Sequence, residues 1–323
     1  MRRYISIAVS LLILAVIYWM IDVQELLRTL GQAHVVWLGA ALAMVIPTTG
    51  LTAWRFERLA PPDAGIDFQG ALRLTLAASA LNMVLPSKMG DIAKAHFIRR
   101  GGRVDGTLAL SVTILEKTLD LLALLAWCAF GLAMYEPKTA ASWTAFAAIL
   151  TFLAAGSLVV ASRRTAKLGA RLTKRVAGGR LRRISQQLWE GWRAARAQWL
   201  ASSGNALAVS STSVLIWFLH LFQIWLFILA LRAWVPLMDS VALTPLAILI
   251  GLLPFTFAGV GTRDAALIFL YSPFFDAATG AALGILCTVR YLLPGLLGLP
   301  FLSGFLGART AEDTLSWSDD APT

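Results

Sequence analysis

Leu85-Pro86-Ser87-Lys88-Met89-Gly90-Asp91 interrupts an apolar stretch running from about residue 68 to 98, and Leu253-Pro254 through Gly259-Val260-Gly261 interrupts a second one from about 240 to 273. Proline lacks the N–H that an interior helical position needs and clashes with the preceding turn, while glycine lets the chain leave helical dihedrals. Each stretch is thereby divided into two arms. The second arms, 88–98 and 263–273, are shorter than the roughly 20 residues that cross a hydrocarbon core. Each stretch is predicted to be a re-entrant helical hairpin, a form tolerated only where the broken backbone is buried in protein or lines a polar cavity.

Working outward, uninterrupted apolar segments at about 4–21, 35–54, 107–133, 142–161, 206–232 and 278–308 are each long enough for a full crossing. Of the 323 residues, 58% are hydrophobic and 14% charged, which would leave a water-soluble fold with far too much exposed apolar surface. The runs are continuous rather than alternating, so helices are selected over a barrel. The expected fold is an all-α polytopic membrane protein: six full spans plus two re-entrant hairpins in a single integral membrane domain, 1–311, followed by a disordered acidic tail, 312–323. The first run follows Met1-Arg2-Arg3 like a signal peptide, but Tyr18, Trp19, Met20 and Ile21 stand where a cleavage site needs small residues, so it reads as a retained span. Cys128 and Cys287 sit in apolar runs without metal-ligand spacing and read as small hydrophobes; neither a metal nor another cofactor is expected.

The net charge of +10 would suggest nucleic acid in a soluble chain, yet the basic residues cluster in loops beside spans. With the N-terminus cytoplasmic, the inside loops hold 19 Lys and Arg, including Arg55 and Arg58, and the outside loops hold three. That asymmetry places both termini in the cytoplasm and removes nucleic acid as a partner. The basic linker 163–203 interleaves Leu188, Trp189, Trp192 and Trp199 with Arg193 and Arg196, and reads as an amphipathic helix lying on anionic headgroups. The sequence leaves homo-oligomerisation open.

The two hairpins share an order: apolar arm, Leu-Pro break, glycine, acid, short arm, long span. Gly106 precedes Glu116 by ten residues and Gly280 precedes Arg290 by ten, so Glu116 and Arg290 take equivalent depths in halves 35–135 and 206–308. These are predicted to be inverted repeats, the architecture in which transporters place a midplane site between discontinuous helices. Ten charges remain in or beside the apolar segments: Arg73, Lys88, Asp91, Lys94, Glu116, Lys117, Asp120, Arg263, Asp264 and Arg290. Each costs about 2.5–3.5 kcal/mol at a span centre and requires partners or water. Glu116 and Asp120 share a helical face, and Glu116 is expected to pair with Arg290 across the repeat axis; alternatively Glu116 or Asp120 carries a proton or cation coupled to transport. Lys88 and Arg263 stand beside chain breaks whose free N–H groups favour an anion. With Asp91, Asp264 and Asn82 they form the candidate headgroup site, although Asp91 and Asp264 can equally serve as helix caps. Gln223 is expected to hydrogen-bond between spans, Arg73 to snorkel, and His34, His96 and His220 to be interfacial.

No nucleotide-binding glycine loop, His-Glu-x-x-His or Gly-x-Ser-x-Gly is present in the sequence. The arrangement Ala53-Trp54-Arg55, Asn82 to Asp91, Glu116-Lys117-x-x-Asp120 and Phe257-Ala258-Gly259-Val260-Gly261-Thr262-Arg263-Asp264 resembles the lysylphosphatidylglycerol synthase transmembrane, or flippase-like, family over nearly the whole chain. Lys117 stands where that family usually has arginine, and Asp264 where it usually has glutamate, each keeping the charge sign. The resemblance implies a bacterial inner-membrane protein that moves a phospholipid or polyprenyl-linked lipid between leaflets. It also implies a member without the soluble aminoacyltransferase domain, which is not found after residue 308. The alternative class is a membrane-embedded enzyme acting on a lipid headgroup with Asp91, Glu116 or Asp120 as base, or an accessory subunit.

Overall fold

A computed structural model describes residues 23–84, 90–100, 106–134, 136, 138–162, 179–252 and 261–307. The expected span at 4–21, Lys88 and most of both chain breaks, residues 163–178 of the basic linker and the acidic tail lie outside those residues.

The described residues are helical, with turns between the helices and no strand. Helix α1 (Val23–Gly31) leads into α2 (Val35–Ala43) and α3 (Val45–Leu59). The last two form one rod interrupted at Met44, because Pro47 has no N–H to donate to the carbonyl of Ala43. Next come α4 (Phe68–Val84), α5 (Gly90–Arg100), α6 (Gly106–Met134) and α7 (Ala140–Ala161). A capping box starts α7: the Thr139 hydroxyl accepts from the Ser142 N–H at 3.1 Å, and the Ser142 hydroxyl accepts from the Thr139 N–H at 2.8 Å. The chain ends in α8 (Gly179–Trp199), α9 (Ser203–Ala230), α10 (Leu237–Gly251), α11 (Thr262–Tyr271) and α12 (Ala277–Gly307).

Four segments are long and apolar enough to cross a membrane: Val35–Leu59, Ala140–Ala161, Ser203–Ala230 and Ala277–Leu302. They correspond to four of the expected spans. Helix α6 covers a fifth and has 29 residues, about 43 Å of helix, but carries Glu116, Lys117 and Asp120. The order of a long rod or helix, two shorter helices and another long helix occurs as the 25-residue α2–α3 rod followed by α4, α5 and α6, and again as α9–α10–α11–α12.

Two apolar cores flank α6, and it contributes to both. Its first half gives Ala109, Val112, Leu115 and Leu119 to a core shared with α3, α4, α5 and α8. Its second half gives Leu124, Cys128 and Leu132 to a core shared with α9, α10, α11 and the start of α12. The later part of α12 crosses back onto α4. Gly298 makes that possible, since a Cβ there would collide with the Leu76 carbonyl oxygen. Small residues serve this way in membranes, where dispersion contacts need close backbones. Both cysteines are buried in the second core as unpaired thiols.

The basic linker does contain a helix, α8, but its inward face is occupied by protein. Gly191 abuts the Thr107 carbonyl, Ala195 and Trp199 are buried, and Arg196 donates to the carbonyls of Val160 and Ala161 at the end of α7. Its aromatic residues therefore do not all lie on headgroups, as the amphipathic reading expected. Arg193 remains exposed.

Candidate functional site: a charged cavity between the two halves

Two polar stripes run along helices that are otherwise apolar. Thr48, Thr52 and Arg55 recur at spacings of four and three on α3, and Thr75, Ser79 and Asn82 do the same on α4, so each set shares a face. The Thr48 and Thr52 hydroxyls donate to carbonyls one turn back, Met44 at 2.8 Å and Thr48 at 2.7 Å, which satisfies them without water. Asn82 reaches across the first chain break: its Oδ1 accepts from the Gly90 N–H at 2.8 Å, closing the start of α5.

Arg55 projects from α3 onto α6 and is 1% exposed. One of its terminal nitrogens lies 3.2 Å from Glu116 Oε1; the other donates to Asp120 Oδ1 and to the Ser213 hydroxyl at 3.0 Å. Lys94 of α5, equally buried, reaches Glu116 Oε2 at 3.2 Å and lies over the Phe56 ring at 4.7 Å. Lys117 bridges Asp91 at 3.1 Å and Asp120 at 3.5 Å. The first half thus closes a network of three cations and three acids drawn from α3, α5 and α6. Such a network is stable only when every member is matched, because each unpaired buried charge is expensive.

In the second half, Gly261 has φ of 97°, a left-handed conformation suited to glycine, and its N–H donates to Asp264 Oδ2 at 3.1 Å at the start of α11. Asp264 Oδ1 accepts from Arg263 at 2.6 and 2.9 Å. The same guanidinium donates to the Gly284 carbonyl at 2.8 Å and the Thr288 hydroxyl at 2.9 Å on α12. Tyr271 joins α11 to α10 through Thr244 at 2.6 Å and Ser240 at 3.1 Å. Arg290 of α12 contacts the Tyr291 hydroxyl at 2.7 Å, Gln223 Oε1 at 3.4 Å and the His220 carbonyl at 3.5 Å.

These groups surround a cavity of about 330 Å³ lined from both halves, by the α3 and α4 stripes, Asp91, Lys94, Lys117 and Asp120 on one side and Gln223, Arg263, Thr288 and Arg290 on the other. Of the expected headgroup residues, Asn82, Asp91 and Arg263 line it. Asp264 stands behind Arg263, and Lys88 lies outside the described residues. Asp264 caps α11, as its helix-cap reading held, whereas the cap across the first break comes from Asn82. Arg263 is not a loop-tip cation but a buried tie into α12, 7% exposed.

Glu116, Lys117 and Asp120 gather as expected, but the Glu116–Arg290 pair is replaced: Glu116 is held by Arg55 and Lys94, and Arg290 meets neutral groups. Arg55 is the functional residue that sequence reasoning misses, and Lys94, already among the ten charges that need partners, finds its partner in Glu116. A span ending at residue 54 puts Arg55 in a loop, yet α3 continues to Leu59 and carries it inward. The four- and three-residue stripe ending at Arg55 was the signal that could have found it. His220 lines the cavity from mid-α9 rather than standing at a span end, and Gln223 joins spans through the Ala41 carbonyl at 2.7 Å. Arg73 and His96 are exposed. Among the described residues, no group of three or more His, Cys, Asp and Glu gathers to hold a metal.

The arrangement can seat a polar group of small-molecule size, since ligand sites begin at about 300 Å³. A model of the family described as the lysylphosphatidylglycerol synthase TM region matches residues 4–298 of the chain. No curated protein matches it.

Proposed function

The chain belongs to the lysylphosphatidylglycerol synthase TM-region family, and from that premise we propose that it is a translocase moving a polar or anionic lipid between the leaflets of the inner membrane. The observation that carries this reading is the charge-lined cavity between the two halves. A headgroup enters it while the acyl tails stay in the bilayer. Helices α4–α5 and α10–α11 act as the two re-entrant hairpins, and the halves, related as inverted repeats with both termini cytoplasmic, rock to expose the cavity alternately. Reading the acids as catalytic bases is less favoured, because Asp91, Glu116 and Asp120 each already engage a cation, as suits a binding cavity better than an open base.

The test is leaflet exchange of fluorescent phospholipid in proteoliposomes. Wild type should accelerate exchange without altering the lipid chemically, and Thr49→Trp, which fills the cavity from a half-buried wall position, should abolish it while remaining folded. Exchange unaffected by the filled cavity, or conversion of the lipid to a new species, would sink the proposal.

A further inference from the structure

Charge balance around the cavity singles out one residue. The cations are Arg55, Lys94, Lys117, Arg263 and Arg290; the acids at or directly behind the wall are Asp91, Glu116, Asp120 and Asp264. Each of these four acids is engaged, and four of the five cations meet a carboxylate within 4 Å. Arg290 does not: among the described residues its contacts are an amide oxygen, a phenol, a backbone carbonyl and the Tyr291 ring at 4.7 Å. It is 4% exposed, and its Nε is buried without a hydrogen-bond partner. A guanidinium has five N–H donors and remains charged at any physiological pH. A buried charge left unmatched costs several kcal/mol, so this one points to an anion from outside the chain.

We propose that Arg290 is the anion-binding residue of the cavity and receives the phosphate of an anionic lipid headgroup. The planar fork suits two phosphate oxygens, Thr288, two residues before it on α12, lines the same cavity, and the unpartnered Nε supplies a donor. Among the described residues the three-and-three network of the first half contributes no net charge and Asp264 matches Arg263, so the one excess positive charge, Arg290, favours a monoanionic group. The proposal rests on the translocase reading only in taking a membrane lipid, rather than free phosphate, as the source of that anion.

The experiment compares wild type, Arg290→Gln and Arg290→Lys in nanodiscs containing phosphatidylglycerol and phosphatidylcholine at equal mole fraction, counting retained lipid by native mass spectrometry. Wild type should prefer phosphatidylglycerol by about ten- to a hundredfold, because the choline cation of phosphatidylcholine offsets the charge of its own phosphate beside the guanidinium and forfeits most of a charge-assisted contact. Arg290→Gln should lose that preference, and Arg290→Lys should keep part of it by retaining charge without the fork. In detergent free of anionic lipid, Arg290→Gln should unfold no earlier than wild type, and added phosphatidylglycerol should stabilise only wild type. A folded Arg290→Gln that keeps the preference overturns the proposal. So does displacement of phosphatidylglycerol by millimolar inorganic phosphate, which would mark a site for the free anion. Wild type that exchanges lipid with no preference for headgroup charge defeats this inference alone; headgroup binding through Arg290 without exchange defeats the translocase reading alone.

Discussion

Glu116 is the residue on which the first half closes, since it is fully buried and is held by Arg55 and Lys94 at once. Glu116→Gln strands Lys94 and leaves Arg55 with Asp120 as its one carboxylate, and should destabilise the protein by about 3–5 kcal/mol. Lys94→Met removes the stranded cation, so the double variant should lose clearly less than the sum of the singles, whereas a cycle between Glu116 and Arg290 should give no coupling. Reversible unfolding in mixed micelles measures both cycles. Arg263→Ala should likewise destabilise by about 3–5 kcal/mol, because Asp264 loses its guanidinium and α12 loses the bonds to Gly284 and Thr288. A value near zero would return Arg263 to the loop-tip role its sequence context suggests. The buried charges were legible from hydropathy alone, since a charge in an apolar run announces itself. Their partners were not. Arg55 follows Trp54 and precedes Glu57 and Arg58, which resembles the end of a span, and only the extra turn of α3 brings it inward.

Chain breaks are local events, and Leu-Pro and glycine signal them because those residues act on their own neighbours' dihedrals; the helix ends at Val84 and Gly90 and at Gly251 and Thr262 flank the two signalled stretches. The choice of partner helix is non-local. Glycine occurs 25 times, and nothing in the sequence distinguishes Gly298, pressed against Leu76, from Gly39, which faces open space. Gly298→Leu should therefore separate α12 from α4, lowering the unfolding midpoint and widening the cavity, while Gly39→Ala should be neutral or slightly stabilising because alanine favours helix by about 1 kcal/mol. Equal effects of the two changes in a thermal unfolding assay would mean that the α4–α12 crossing is not a close contact. Helix α8 teaches the same distinction: its amphipathic period was visible, but whether lipid or α6 would cover the apolar face was decided by Gly191 and by Arg196 capping α7.

At the scale of the whole molecule, orientation follows from charge, and the structure supplies the element that makes it testable. Helix α7 has 22 residues, about 33 Å, enough for a hydrocarbon core of about 30 Å. Its most apolar window is 11% buried against protein, so most of that surface is available to lipid. Glu136, before it, and Arg193, on α8 after it, should then lie on opposite faces. Moving Arg55 from the loop to the cavity leaves the basic asymmetry nearly unchanged, so the charge rule predicts α8 inside and Glu136 outside. The proposed inverted arrangement predicts a second pair. Asp63 precedes the α4–α5 hairpin and should be cytoplasmic, whereas Ser272 follows the α10–α11 hairpin and should be external; both are exposed. Single cysteines at these four positions, probed with an impermeant maleimide in sealed cells, should label at Glu136 and Ser272 and at Asp63 and Arg193 only after permeabilisation. The buried Cys128 and Cys287 should stay silent. Labelling of Asp63 and Ser272 from one side would dissolve the inverted relation between the halves, and external labelling at Arg193 would reverse the orientation while leaving the cavity and its ion pairs as they are.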